Sequence, residues 1–171
     1  MTVTNIEKVE FIHKISKNIR HGRRTFFDHL FKTSGIVEKL CEDIGITESR
    51  YLIDAALFHS IYGTDYYEFN EQITREKVIS LIGEQAEQLV HFFCSLPERN
   101  IQILQHKFDK RLQRDLYIIE YANLLELSIT DVQRTSALNP AKIFRLKLLR
   151  ANLIDHYKFM MPPLPFNFPS K

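Results

Sequence analysis

Tryptophan is absent, and the 171 residues include only five glycines, six prolines and two cysteines. The cysteines, Cys41 and Cys94, sit in apolar helical patterns with no CxxC or metal-ligand spacing. That excludes a disulfide framework and a thiolate zinc site, and reads as two reduced core thiols of a cytoplasmic chain. Charge of one sign is scarce too. A formal net charge of +2 gives no electrostatic ground for a nucleic-acid or acidic-membrane partner. No apolar run reaches the roughly 18 residues of a membrane helix, and the N-terminus has no apolar leader core. The expectation is a soluble, cytoplasmic protein without a membrane partner. Strand signals are equally sparse: strict alternation is rare, and no Asn-Gly or Asp-Gly hairpin turn occurs.

Helical periodicity is what the sequence does have. Apolar residues make up 44% of the chain and charged residues 26%, an ordinary balance for one globular domain with a sizeable core. A first helix is predicted from about Thr4 to Ile19, with Ile6, Val9, Ile12 and Ile15 on one face. A turn at Gly22 precedes a helix carrying Phe27, Leu30, Phe31, Ile36, Val37 and Leu40, which Gly45 ends as a C-cap. Thr47 is the expected N-cap of the next helix, whose apolar run closes near Tyr62 and Gly63. Thr74 opens another helix. Gly83 breaks or bends it, and the pattern continues to Pro97. Two more helices follow, one from about Lys110 to Leu127 and one capped by Asn139 with Pro140 at its first position. The fold expected is all-α, a single globule of about six to eight helices over residues 1–160. The tail 161–171, rich in Pro and Phe, cannot be helical and should lie against the domain or a partner.

Seven histidines are present, with no HExxH and no metal-spaced pair on one helix. A metal site must therefore be assembled from separate helices. His29 and His59 are each embedded in apolar sequence, so each imidazole must satisfy its ring nitrogens in the core. Basic residues gather before them as Lys14, Lys17, Arg20, Arg23 and Arg24, which suits either an anionic ligand or a solvated face. Past His59, Ser60, Tyr62, Thr64, Tyr66 and Tyr67 offer hydroxyls, and Gly63 permits a positive-φ turn. Asn123 stands on the apolar face of its helix and needs a polar partner there.

The stretch from His21 through "FFDHLF" to "AALFHSIYGT" resembles the opening of an HD-domain protein. In that superfamily of metal-dependent phosphohydrolases, a histidine near the start of one helix, a His-Asp pair closing the next and a distant aspartate hold the metal. The resemblance is distant to the hydrolase domain of (p)ppGpp synthetase/hydrolases, and nearer to an uncharacterised HD-like group marked by "DHL" followed by "LFHSxYGT". It covers about residues 20–128. It implies that His29 and His59 are the metal histidines. Ser60 stands where the HD aspartate belongs and Asn123 where the last aspartate would fall, so both carboxylates are replaced.

Carboxylates neutralise a divalent ion as hard anionic donors, and a catalytic metal normally has three protein ligands. The resemblance therefore implies that His21, or Asp65 or Glu68 beyond the glycine, completes the site. Its metal is Fe, Mn or Zn, or absent. Arg23 and Arg24 would hold an anion through their bidentate forks, while Ser60, Tyr62, Thr64 and Asn123 line the ligand pocket. Three functions stay open. One is a hydrolase-like enzyme, or an iron oxygenase, acting on a small phosphorylated or nucleotide-like substrate. The others are an inactive HD-like ligand-binding module and a protein-interaction module, with a homodimer compatible with the aromatic content and apolar tail.

Overall fold

A computed structural model describes residues 4–21, 24–63 and 73–166. Among these residues the chain forms eight helices and one two-stranded ladder. Helix α1 (Asn5–Ser16) starts at a reciprocal capping box in which Thr4 and Glu7 bond each other's backbone amides. A short antiparallel pair, β1 (Arg20–His21) and β2 (Arg24–Thr25), joins it to α2. This ladder was not expected, because two-residue strands leave no alternation to read. Helix α2 (Phe26–Ile44) begins at a second capping box, Thr25 with Asp28, and ends at Gly45 with φ 75°. That left-handed turn is the conformation glycine adopts without a Cβ penalty.

Helix α3 (Arg50–Phe58) starts later than Thr47: its N-cap is Ser49, and the turn before it is irregular. Thr74 caps α4 (Arg75–Ile82), and Gly83 separates it from α5 (Glu84–Ser95), both as expected. A short α6 (Arg99–Gln105) follows Pro97, where the sequence pattern ended. Helix α7 (Lys110–Thr135) runs two turns beyond Leu127, and α8 (Pro140–Tyr157) is capped by Asn139 through the amides of Ala141 and Lys142.

The core forms where α2 packs on α3 and α7, α3 on α5, and α7 on α8. Leu30 and Val37 of α2 meet Phe58, Phe93, Ile119 and Leu146 in one buried cluster. Ala55 and Ala56 are wholly buried, and their small size lets α3 approach its neighbours closely. The fold is an all-α single globule, as expected. The tail turns back on α8, where Arg150 donates to the carbonyls of Met161 and Pro162 and Met161 is buried. No helix among the described residues is long and apolar enough to cross a membrane. Both cysteines are free thiols, and burial pushes each up to about 11.

Candidate functional site

The helix that ends on "AALFH" delivers His59 into the core. Helix α3 stops at Phe58, His59 is its C-cap, and its ring is 1% exposed. His59 Nδ1 lies 2.7 Å from the Ala56 carbonyl. A carbonyl only accepts, so Nδ1 carries the hydrogen and Nε2 keeps its lone pair. His29 comes from the first turn of α2 and is also buried. Its Nδ1 is 2.6 Å from Glu126 Oε2 on α7. Glu126 is paired by both oxygens with the Arg24 guanidinium and accepts a further hydrogen bond from Thr130, 3.2 Å away. It is therefore an acceptor-only carboxylate, and His29 Nδ1 donates to it.

Two lone pairs consequently face each other, with His29 Nε2 and His59 Nε2 3.3 Å apart. Neutral imidazoles in these tautomers have no hydrogen to place between them. A second proton on either ring is disfavoured. Burial, and next the neighbouring His59, hold His29 well below the usual imidazole range. Glu126 would favour a charged His29, but its own charge is already committed to Arg24. Burial likewise takes His59 down to about 3, against the smaller opposing effect of the Ala56 hydrogen bond.

Paired Nε2 atoms, each ring fixed by an Nδ1–H donated to a carboxylate or a carbonyl, are the arrangement of metal-binding histidines. The separation suits it as well: two 2.0–2.1 Å bonds at a tetrahedral angle span about 3.3–3.4 Å. Two nitrogens thus fit a metal. Among the described residues, no group of three or more His, Cys, Asp or Glu side chains forms a metal-ligand set.

His29, His59, Ser60, Asn123 and His21 line one cavity of about 550 Å³. His21 does not complete the pair: its ring stacks on His29, centroids 4.8 Å apart at 25°, and burial followed by Arg24 holds it below its ordinary range. Asn123 donates to Glu120 at 3.1 Å, so it braces that buried carboxylate instead of bonding His59 or Ser60. Arg24 does not line this cavity; its guanidinium pairs with both oxygens of Glu126. Tyr62 points elsewhere too, donating to Glu87 at 2.8 Å beside the Arg75–Glu87 ion pair. Gly63 has φ 89°, the positive turn expected of it. Arg23, Thr64, Asp65, Tyr66, Tyr67 and Glu68 lie outside the described residues.

Of the cavity's cations only Arg20 belongs to the basic cluster read in the sequence; the others come from positions that carried no signal there. Arg20 of β1, Arg99 of α6, and Lys142 and Arg145 of α8 all line it. Arg99 lies over the Phe93 ring at 4.1 Å and 3.8 Å from Glu120, and Lys142 pairs with Asp131 at 2.6 Å. The Nε atoms of Arg99 and Arg145 are buried without a hydrogen-bond partner among the described residues. Burial raises Glu120 above the usual carboxyl value, with Arg99 and the Asn123 hydrogen bond opposing. Arg99 and Arg145 thus bring guanidinium groups with unpartnered Nε atoms to the lining of the cavity that also holds His29 and His59.

Residues 11–98 match the model of a domain of unknown function, DUF6817, and the chain belongs to that family. The matched span contains His21, His29, His59 and Ser60. Glu120, Asn123, Glu126, Lys142 and Arg145 lie C-terminal to it. No curated protein and no solved structure matches the chain.

Proposed function

We propose that this chain is a divergent HD-like protein whose His29 and His59 hold a divalent metal, Fe, Mn or Zn. The cavity takes a small phosphorylated or nucleotide-like molecule. The observation that carries this reading is the pair of Nε2 lone pairs 3.3 Å apart, each ring oriented through its Nδ1–H. Bound there, a divalent ion supplies a Lewis acid and lowers the pKa of a bound water. The chain's own residues do the rest. Glu126 and the Ala56 carbonyl fix the tautomers, and Arg24 holds both oxygens of Glu126. Arg99 and Arg145, with Arg20 and Lys142 beside them, supply fork-shaped and point-charge donors that suit phosphate oxygens.

Ser60 and Asn123 in place of carboxylates favour a second reading, an HD-like ligand-binding module without hydrolysis. The experiment is metal analysis of protein purified without chelator, with thermal shifts against phosphorylated compounds. Stoichiometric metal that vanishes in His29→Ala and His59→Ala supports the metal site. Phosphorylated ligands should raise Tm in the parent chain, and Arg145→Ala should abolish the shift. No bound metal, with an Arg145-dependent shift retained, would leave the binding module. Neither metal nor shift would end both readings.

A further inference from the structure

We infer that the molecule taken by the histidine-lined cavity carries a primary ammonium group beside its anionic one, and that Glu120 and Asn123 of α7 receive that ammonium. The inference rests on the phosphorylated-ligand reading above and is independent of the metal.

Glu120 is the observation that carries it. It lines the cavity and is 3% exposed. Its Oε2 accepts from Asn123 Nδ2 at 3.1 Å, whereas Oε1 accepts no hydrogen bond among the described residues. Arg99 Nε approaches Oε2 at 3.8 Å, outside hydrogen-bond reach. A buried carboxyl oxygen without a donor is costly, and a cation arriving from the cavity supplies the donor and the charge. Glu98, the other carboxylate of the lining, is exposed and is met by solvent instead.

Asn123 adds a second acceptor. It also lines the cavity and is 6% exposed. Its amide nitrogen faces Glu120, so its carbonyl oxygen is the atom left over, and that oxygen accepts no hydrogen bond among the described residues. Residues three apart share a helix face, so both free oxygens come from one turn of α7. An ammonium has three donors and no acceptor, which matches a pair of acceptor oxygens. Arg99 and Arg145, with buried Nε atoms that lack partners, border the same cavity of about 550 Å³. Arg145 also acts on the Glu120 charge, so the anion and ammonium positions adjoin. The pairing fits a small zwitterion, a phosphomonoester with an amino group a few bonds away.

The test is calorimetric titration with O-phosphoethanolamine and ethyl phosphate, which differ only in the ammonium. A cavity that reads the phosphate alone favours ethyl phosphate, because the amine lowers the ligand's net negative charge. The proposal predicts the reverse: phosphoethanolamine should bind the parent chain at least about tenfold tighter, the scale of one hydrogen bond to a charged group. Glu120→Gln keeps the size and loses the charge. It should remove that preference while leaving ethyl phosphate within about twofold, and Arg145→Ala should weaken both ligands. Ethyl phosphate binding the parent chain as tightly as phosphoethanolamine, or tighter, overturns the proposal and leaves the phosphorylated-ligand reading standing; this comparison needs no variant to fold. An equal loss of both ligands in Glu120→Gln also overturns it, since Glu120 would then serve only to hold Arg99. Absence of binding by either ligand ends the proposal together with the reading it rests on.

Discussion

The buried histidines make stability depend on pH, and His59 gives the cleanest measure. In the unfolded chain its imidazole titrates near 6.5, whereas in the folded core burial holds it near about 3. As pH falls below 6.5, the unfolded state takes up a proton that the folded state refuses. The contribution is therefore fully present above the unfolded value and is lost as pH falls toward the folded one. Linkage makes the slope about 1.4 kcal/mol per pH unit, or about 2 kcal/mol in total between about pH 7.5 and 5.0. His29 and His21 are also depressed and act in the same direction. Glu120 and Asp115, whose carboxyls burial raises, act in the opposite one. Comparison with a variant isolates His59 from all of these. His59→Gln can still donate to Ala56 but has no proton to gain. Urea unfolding of both proteins at the two pH values should show the parent losing about 2 kcal/mol more than the variant on acidification. Parallel losses would refute the buried, neutral His59.

Three further outcomes follow from the packing. Glu126→Gln strands the Arg24 guanidinium, whose side chain is 12% exposed, and should cost about 3–5 kcal/mol in urea unfolding; a loss below about 1 kcal/mol would show that the pair is not buried in solution. Deleting residues 161–171 strips Met161 from the core and removes the acceptors of Arg150; the apolar part alone is about 1.5–3 kcal/mol, and an unchanged Tm would show that the tail does not hold α8. Gly35→Ala adds a methyl to open space in mid-helix and should stabilise by up to about 1 kcal/mol; destabilisation would mean that the site is closed to a side chain.

Much of the fold was legible because helix ends are written in local chemistry. Gly45, Thr74, Gly83 and the Asn139-Pro140 pair each mark a boundary where an amide or carbonyl needs a cap, and each cap forms as read. What local chemistry did not specify was missed. The β1–β2 ladder pairs two residues with two. Helix α6 is a seven-residue piece after a proline, and the last two turns of α7 are polar and half-exposed. Ser49 replaced Thr47 as N-cap without making a side-chain hydrogen bond, so capping preference had little hold there.

The candidate site divided along the same line. Apolar flanks placed His29 and His59 in the core, and both reached one cavity. Glu126 was read only as one member of the stripe that holds Ile119, Ala122 and Asn123 and not as a site residue; a carboxylate on a buried face requires a partner, and that signal was available. Arg24 was read as an anion ligand because its own partner lies 102 residues away. Arg99 and Arg145 gave no signal, since cations on helices ordinarily solvate, and only the packing of α6 and α8 turns them inward.

The central claim is that two neutral imidazoles present their Nε2 lone pairs to one point. Nitrogen-15 NMR of the histidines at neutral pH, before and after one equivalent of Zn²⁺, tests it directly. The account predicts that His29 and His59 both carry their proton on Nδ1, and that both Nε2 resonances shift together at one equivalent while the Nδ1 protons remain. A proton on either Nε2 before the metal is added, or Zn²⁺ binding that leaves both resonances unmoved, would contradict it.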